Sequence, residues 1–173
     1  SEIWPVVFTA VEAELKKSDR PLWITGHSLG GALAVLAAWM FHRKFINVHQ
    51  VVTFGAPMVG NRDACRAINK ELKGRIFRYV NSPDPVPKLP TISLISNSYG
   101  HVEREIALGS AGVDLFAGLA GKAADGLLNA TLVDELWNPV TGVVSAHQLP
   151  SYNGLLHTLK ALRHHYRAKH AVC

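Results

Sequence analysis

Apolar residues along the first half of the chain follow two patterns that alternate. At 6–17, from Leu29 onwards and around 63–72 they recur three and four residues apart, which predicts helices. Short runs of β-branched and aromatic residues predict buried strands at 22–25, 51–54 and 76–80. Helices that alternate with strands in this way are typical of a parallel sheet flanked by helices. The pattern therefore predicts an α/β fold with a mainly parallel sheet.

The second half of the chain is less regular. The runs 91–96 and 102–106 fit further strands, with turn-like residues at 97–100 between them. Residues 109–137 are rich in Ala, Gly and Leu, and we expect an apolar helical insertion there within a single domain of 1–173. A terminal helix is predicted to carry one apolar face, made of Leu155, Leu156, Leu159, Leu162 and Tyr166.

Composition narrows the class of protein. The chain has 173 residues, of which 48% are apolar, enough for one buried core. No apolar run reaches the roughly 18 to 20 residues that cross a bilayer. Cys65 and Cys173 allow at most one disulfide bond, which leaves the cellular compartment open. The net charge is +5, but the cations concentrate only at 160–170 and are not interleaved with aromatic residues as a stacking platform requires, so no nucleic-acid partner is expected.

A short motif lies where the first predicted strand meets the helix from Leu29. It reads Gly26-His27-Ser28-Leu29-Gly30, and we expect both glycines to be needed because a side chain would clash at the sharp turn. Ser28 is then a candidate nucleophile, and the Leu29 backbone N–H at the positive end of the helix is a candidate oxyanion donor. The alternative is a tight turn without chemistry. The helix is expected to bury one stripe, made of Ala32, Leu33, Leu36, Ala37, Met40 and Phe41.

A nucleophilic serine needs an acid and a base, and the order of the strands suggests both. Asp84 follows the strand at 76–80, at the same sheet edge as Ser28, in a loop stiffened by three prolines; the alternative is that it caps a proline turn. If the base follows the acid in the chain, six histidines are candidates: His101, His147, His157, His164, His165 and His170. The last four fall on the basic terminal helix, where exposure is favoured over a metal site. Spacing alone does not choose between His101, in a strand or its turn, and His147, in a predicted loop.

Four blocks of sequence resemble the class 3 lipases, the α/β-hydrolase family of the fungal triacylglycerol lipases and plant acylhydrolases. They are TGHSLGGALA at 25–34, TFGAPMVGN at 53–61, RYVNSPDPVPKLP at 78–90 and HQLPSY at 147–152. The resemblance covers about 1–106 and 145–160. It implies Ser28 as nucleophile, Asp84 as acid and His147 as base, with no metal or organic cofactor. His101 resembles a structural strand histidine of the same family.

The chain departs from the family pattern at its front. In the family, the part that precedes the helix at 6–17 supplies a second oxyanion donor and commonly a lid, and nothing in this sequence matches it. Loss of one oxyanion donor costs about 10² to 10³ in rate. We therefore expect the chain to be the C-terminal portion of a lipase-like domain, with the N-terminal segment of the same protein as a partner.

The resemblance implies a serine ester hydrolase that acts through an acyl-enzyme on a lipid or other carboxylic ester, in contact with a lipid–water interface. The apolar segment at 113–136 is expected to shape an acyl-chain pocket or a lid, or else to be an ordinary helical cover for the sheet. A non-catalytic, lipase-like interaction module is the alternative function. Head group and acyl-chain length depend on pocket shape, which the sequence does not define.

Overall fold

The computed structural model describes residues 3–89, 99–108 and 142–157. The elements in chain order are α1 (Ile3–Leu15), β1 (Leu22–His27), α2 (Leu29–Arg43), β2 (Val48–Phe54), β3 (Gly60–Asn61), α3 (Arg62–Glu71), β4 (Ile76–Asn81), a 3₁₀ turn (Val86–Lys88), β5 (Tyr99–Gly100), β6 (Arg104–Leu108) and α4 (Gly142–His147). Residues 149–157 form a further helical stretch, α5. The strand predicted at 91–96, the insertion at 109–137 and the terminal helix beyond 157 lie outside the described residues.

Four strands form one parallel sheet in the order β1-β2-β4-β6. Each neighbouring pair is parallel. His27 and Phe54, the last residues of β1 and β2, lie opposite each other, and Phe54 lies opposite Tyr79 of β4. The prediction of a mainly parallel sheet flanked by helices is confirmed. Parallel strands lie about 4.8 Å apart, so the ends of β1 and β4 are separated by roughly 10 Å, the width of the intervening β2.

Two predictions near β5 were wrong in detail. Tyr99 and Gly100 were expected in a turn, but they pair with Asn61 and Gly60 as a short antiparallel ladder. The strand predicted at 102–106 is β6, displaced to Arg104–Leu108. Val102 lies immediately before it and is buried in the core. An apolar residue next to a strand and one within it look the same in a hydropathy pattern, which explains the displacement.

One hydrophobic core joins the sheet to its helices. α2 and α3 contribute to a single buried cluster with β2 and β4, which places both helices on the same face of the sheet. α1 covers α2, with Trp4 and Phe8 against Phe41 at ring-centroid distances of 4.8 and 6.1 Å. The sequence thus folds its first half as predicted, with α1 beginning and ending slightly earlier than 6–17.

The buried face of α2 differs from the predicted stripe. Leu33 and Met40 are exposed, while the buried residues are Gly31, Ala32, Ala34, Val35, Ala38 and Phe41. The helix turns its small residues towards the sheet because it approaches β2 closely: a Cβ at Gly31 would lie 3.2 Å from the Cβ of Thr53. Side-chain size, and not hydropathy alone, determines which face is buried.

Two further features of the described residues are the state of Cys65 and the length of the helices. Cys65 on α3 is a buried free thiol, and burial raises its pKa, so it is held as the unreactive thiol form. Cys173 falls outside the described ranges. Of the helices in residues 3–89, 99–108 and 142–157, none is long and apolar enough to cross a membrane.

Candidate active site

Ser28 occupies the corner between β1 and α2. Its φ of 55° lies in the left-handed region, which is strained for a residue with a side chain. The Ser28 N–H donates to the Phe54 carbonyl oxygen at 2.9 Å, and the Ser28 carbonyl accepts from the Gly31 N–H at 2.8 Å. The strained corner is therefore held from both sides, by the end of β2 and by the first turn of α2.

Glycine is required at this corner, but not at both predicted positions. A Cβ at Gly26 would lie 2.1 Å from the Gly30 carbonyl oxygen, and one at Gly31 would lie 2.7 Å from the Cβ of Ala56. At Gly30, apart from its chain neighbours and the backbone of its own helix, no atom of the described residues lies within 4 Å of such a Cβ. The expected requirement at Gly30 was wrong because this residue faces outwards on α2, and Gly31, which the motif does not include, packs against β2 instead.

This difference gives a testable pair of variants. Gly26→Ala is expected to destabilise the protein by about 3 kcal/mol or more, because its methyl group meets backbone that cannot move aside. Gly30→Ala is the matched control, with an expected gain of up to about 1 kcal/mol from helix propensity. Urea denaturation of the two variants and the unchanged protein measures both effects. Equal stability of the two variants would contradict the packing described for the corner.

Asp84 and His147 meet Ser28 above the carboxyl ends of the strands. His147 Nε2 lies 2.8 Å from Ser28 Oγ, and His147 Nδ1 lies 2.8 Å from Asp84 Oδ2. All three residues are buried, with exposed fractions of 7% for Ser28, 8% for His147 and 1% for Asp84. The loop after β4 fixes the carboxylate further, since Asp84 Oδ1 accepts from the Val86 N–H at 2.9 Å.

His147 was expected in a loop, but it is the last residue of the helix α4. The helix is only six residues long and begins with Gly and two β-branched residues, which have low helix propensity, so local sequence favours a loop there. α5 begins two residues later. The imidazole therefore projects from the junction of two helical segments.

The hydrogen bonds define where the protons lie. A carboxylate can only accept, so His147 Nδ1 carries a proton and donates it to Asp84. In the neutral imidazole Nε2 is then an acceptor, and it takes the hydrogen bond of the Ser28 hydroxyl. This arrangement is suited to removing the proton of Ser28 when its oxygen attacks an electrophile.

Tyr152 completes the surroundings of Asp84, and its role was not recognised in the sequence. Its hydroxyl donates to Asp84 Oδ2 at 2.5 Å and accepts from the Asn81 N–H at 3.1 Å. Burial, and then the hydrogen bond to Asp84, raise the pKa of Tyr152, so the hydroxyl remains a donor. The only available signal was its fixed place in the block HQLPSY, five residues after His147.

Gly55 lies directly beneath these groups. Its φ is +58°, and a Cβ there would lie 2.7 Å from Asp84 Oδ2, 2.9 Å from the Tyr152 hydroxyl and 3.1 Å from His147 Cε1. In the sequence this glycine followed a predicted strand and belonged to the block at 53–61, and neither observation assigned it a role. In the structure it leaves the space in which the acid and the base meet.

The other candidate residues from the sequence are Leu29, His101 and the histidines near the end of the chain. Leu29 is the first residue of α2, so its N–H has no acceptor within the helix, and its side chain is exposed. His101 is hydrogen-bonded to the Pro87 backbone, and its pKa is lowered by burial and by the charge of Arg78. His164, His165 and His170 lie outside the described part of the chain. Within that part, no group of three or more His, Cys, Asp or Glu side chains is arranged to hold a metal ion.

Comparison with known proteins gives consistent matches. A family model described as "Lipase (class 3)" matches residues 3–94. A secreted mono- and diacylglycerol lipase A of Penicillium cyclopium is 36% identical over 107 residues, which cover 59% of this chain and 33% of that protein. A chloroplastic phospholipase A1-Igamma2 of Arabidopsis thaliana is 39% identical over 100 residues, which cover 53% of this chain and 18% of that protein. The chain thus spans about a third or less of the length of these relatives.

Among solved structures, one is described as a triacylglycerol lipase whose catalytic centre is formed by a serine protease triad. It is 27% identical to this chain with a TM-score of 0.55, and the match covers 63% of this chain and 42% of that structure. The match therefore leaves more than half of the solved lipase without a counterpart in this chain.

Proposed function

We propose that this chain, which belongs to the class 3 lipase family, carries the nucleophile, the acid and the base of a serine hydrolase that cleaves carboxylic esters of lipids. The observation that supports this most directly is the hydrogen-bonded chain from Ser28 Oγ through His147 to Asp84, with both bonds at 2.8 Å. Two further observations support the same function: the G-x-S-x-G turn between strand and helix at Ser28, which is typical of α/β-hydrolases, and the lipases among the relatives.

The proposed reaction has two steps. Ser28 Oγ attacks the ester carbonyl carbon while His147 Nε2 takes its proton, and the same proton then passes to the departing alcohol, which leaves an acyl-enzyme. Water repeats the sequence in the second step: His147 removes its proton, the acyl group leaves as a carboxylic acid and Ser28 regains its hydrogen. Asp84 stabilises the imidazolium that forms in each step.

The oxyanion of each tetrahedral intermediate needs donors that are already oriented. The Leu29 N–H is one, because it opens α2 directly after Ser28, where the helix dipole also favours negative charge. We propose that the second donor comes from the N-terminal segment of the same protein, as the family resemblance implies; a match that covers only 33% of a relative's length is consistent with a further segment. Chemistry of this kind uses no metal or organic cofactor.

The surface around Ser28 suits an apolar substrate. Leu29 and Leu33 lie on the same side of α2, one turn apart, and are 58% and 56% exposed. Apolar side chains next to a nucleophile match an acyl chain better than a charged substrate. The two relatives act, by their names, on acylglycerols and phospholipids, and we propose a lipid ester of either kind, met at a lipid–water interface.

Covalent labelling tests the proposal. A fluorophosphonate reagent phosphonylates activated serines, so the unchanged protein is expected to bind one equivalent and to hydrolyse p-nitrophenyl butyrate, whereas Ser28→Ala does neither. Ser18→Ala is the matched control. Ser18 lies before β1, at the end of that strand opposite to Ser28, and among the described side chains its hydroxyl contacts only Arg20.

The outcome that would contradict the proposal is equal, background-level hydrolysis and labelling by the unchanged protein and Ser28→Ala. That result would favour the alternative of a lipase-like interaction module without catalysis. If the unchanged protein is active, an assay with short and long acyl chains tests whether its site prefers an apolar substrate, since chain-length preference appears as a difference in kcat/KM.

A further inference from the structure

His27 is one of the two variable residues of the G-x-S-x-G motif at 26–30, and neither the motif nor the proposed reaction gives it a role. It is the last residue of β1 and is half-buried. Its Nε2 lies 2.6 Å from the backbone carbonyl oxygen of His147. A carbonyl oxygen can only accept, so Nε2 carries the hydrogen and donates it.

The ring of His27 also packs against the rings of His147 and Tyr152. Its centroid lies 4.7 Å from that of the His147 ring, with 31° between the planes, and 6.0 Å from that of Tyr152 in an edge-on arrangement. His27 therefore contacts His147 twice, through a hydrogen bond to the backbone and through ring packing. The residue before the nucleophile is in this way joined to the residue proposed as base.

A second contact of the same kind holds Ala146, the residue before His147. Asn81, the last residue of β4, donates from Nδ2 to the Ala146 carbonyl oxygen at 2.9 Å. The final carbonyls of any helix lack partners within the helix, and a six-residue helix is marginal by itself. Side chains at the ends of β1 and β4 thus bind the last two carbonyls of α4 and fix its end relative to the sheet.

We infer that His27 is a positioning residue, which holds the imidazole of His147 between Ser28 and Asp84 through its hydrogen bond to the His147 carbonyl. The inference rests on the proposed function, since it assumes that His147 acts as the base. His27 and Ser28 are consecutive at the end of β1, so the same strand end sets the position of the nucleophile and of the backbone that carries the base. A displacement of about 1 Å between reacting groups costs roughly 10²-fold in rate.

Two variants separate the hydrogen bond from the ring packing. His27→Phe keeps an aromatic ring but has no donor, and kcat is expected to fall roughly 10-fold to 100-fold with little change in KM. His27→Gln has no ring but carries an amide N–H donor at similar reach, and it is expected to restore kcat to within about 3-fold. His49→Phe is the matched control, because His49 is exposed on β2 and packs against Trp23.

A readout that does not depend on activity accompanies the kinetics. The His147 Nδ1 proton, hydrogen-bonded to Asp84, is expected to give a downfield proton NMR resonance in the unchanged protein, His27→Gln and His49→Phe. In His27→Phe that resonance is expected to broaden or disappear, while thermal melting shows that the fold persists. If the unchanged protein neither labels nor hydrolyses, the proposed function fails, and the resonance still tests the position of His147.

Two results would overturn the inference. The first is a His27→Phe variant with the kcat and the downfield resonance of the unchanged protein, which would show that the hydrogen bond does not position His147. The second is an equal loss in His27→Phe and His27→Gln, which would assign the effect to the ring contact and leave the donor without a role.

Discussion

Replacement of His147 by alanine is expected to lower kcat for ester hydrolysis by a factor on the order of 10⁶, as large an effect as the loss of Ser28 itself. The imidazole is the group within 2.8 Å of Ser28 Oγ, so its removal leaves the hydroxyl without a base and the leaving alcohol without an acid. The hydrogen bond between Tyr152 and Asp84 does not involve His147, and the fold is expected to persist.

His101→Ala is the control for this variant. Sequence spacing left both histidines open as the base, and in the structure His101 is hydrogen-bonded to the Pro87 backbone. Its loss is expected to change kcat by less than about 10-fold, because it is hydrogen-bonded to none of the groups that exchange protons. The assignment would be wrong if His147→Ala kept full activity while His101→Ala lost it and remained folded.

Asp84→Asn is expected to lower kcat by about 10⁴ with a smaller change in KM. Three donors converge on the two oxygens of this carboxylate: His147 Nδ1–H and the Tyr152 hydroxyl on Oδ2, and the Val86 N–H on Oδ1. An asparagine has one acceptor oxygen, so at least one of these donors must face its NH₂ group. If that donor is on His147, the imidazole shifts its proton to Nε2 and no longer accepts from Ser28.

The same substitution is expected to destabilise the fold by about 1 to 3 kcal/mol, since a buried donor loses its acceptor. Asp63→Asn is the matched control: Asp63 is exposed on α3 and pairs with Arg66, and its substitution is expected to alter neither kcat nor stability appreciably. Measurement of kcat with a short ester, beside urea denaturation, checks both effects. Unchanged kcat in Asp84→Asn would remove Asp84 from the proposed reaction.

Local sequence predicted the parts of the site that depend on neighbouring residues. The strand and helix on either side of Ser28 follow from apolar spacing, and the loop with Asp84 follows from a strand that ends where a run of prolines begins. The order of the strands was not predicted, and the structure places β2 between β1 and β4. Strand order depends on long-range pairing, which hydropathy does not encode.

Packing across the sheet determined what the sequence left open. His147 could be separated from His101 only through a resemblance, because it lies 119 positions from Ser28 along the chain. Gly30 and Gly31 differ in role because only Gly31 faces β2. Leu33 was assigned to the wrong face of α2 because the close approach of the helix to β2 selects small residues for the buried face. Tyr152 and His27 contact residues that are distant in the chain, and the spacing of apolar residues indicates neither contact.

Gly55 has a consequence for how folding quality can be measured. The space below Asp84 and His147 exists because β2 pairs with β1 and β4 in a register that brings a bare backbone there. A slip of β2 by one residue would present Phe54 or Ala56 in its place, in a molecule that is still compact and rich in secondary structure. Circular dichroism would count such molecules as folded, whereas a serine-directed titrant would not. The fraction of chains that react with the titrant therefore reports how many molecules in a preparation have β2 in the native register, which circular dichroism does not.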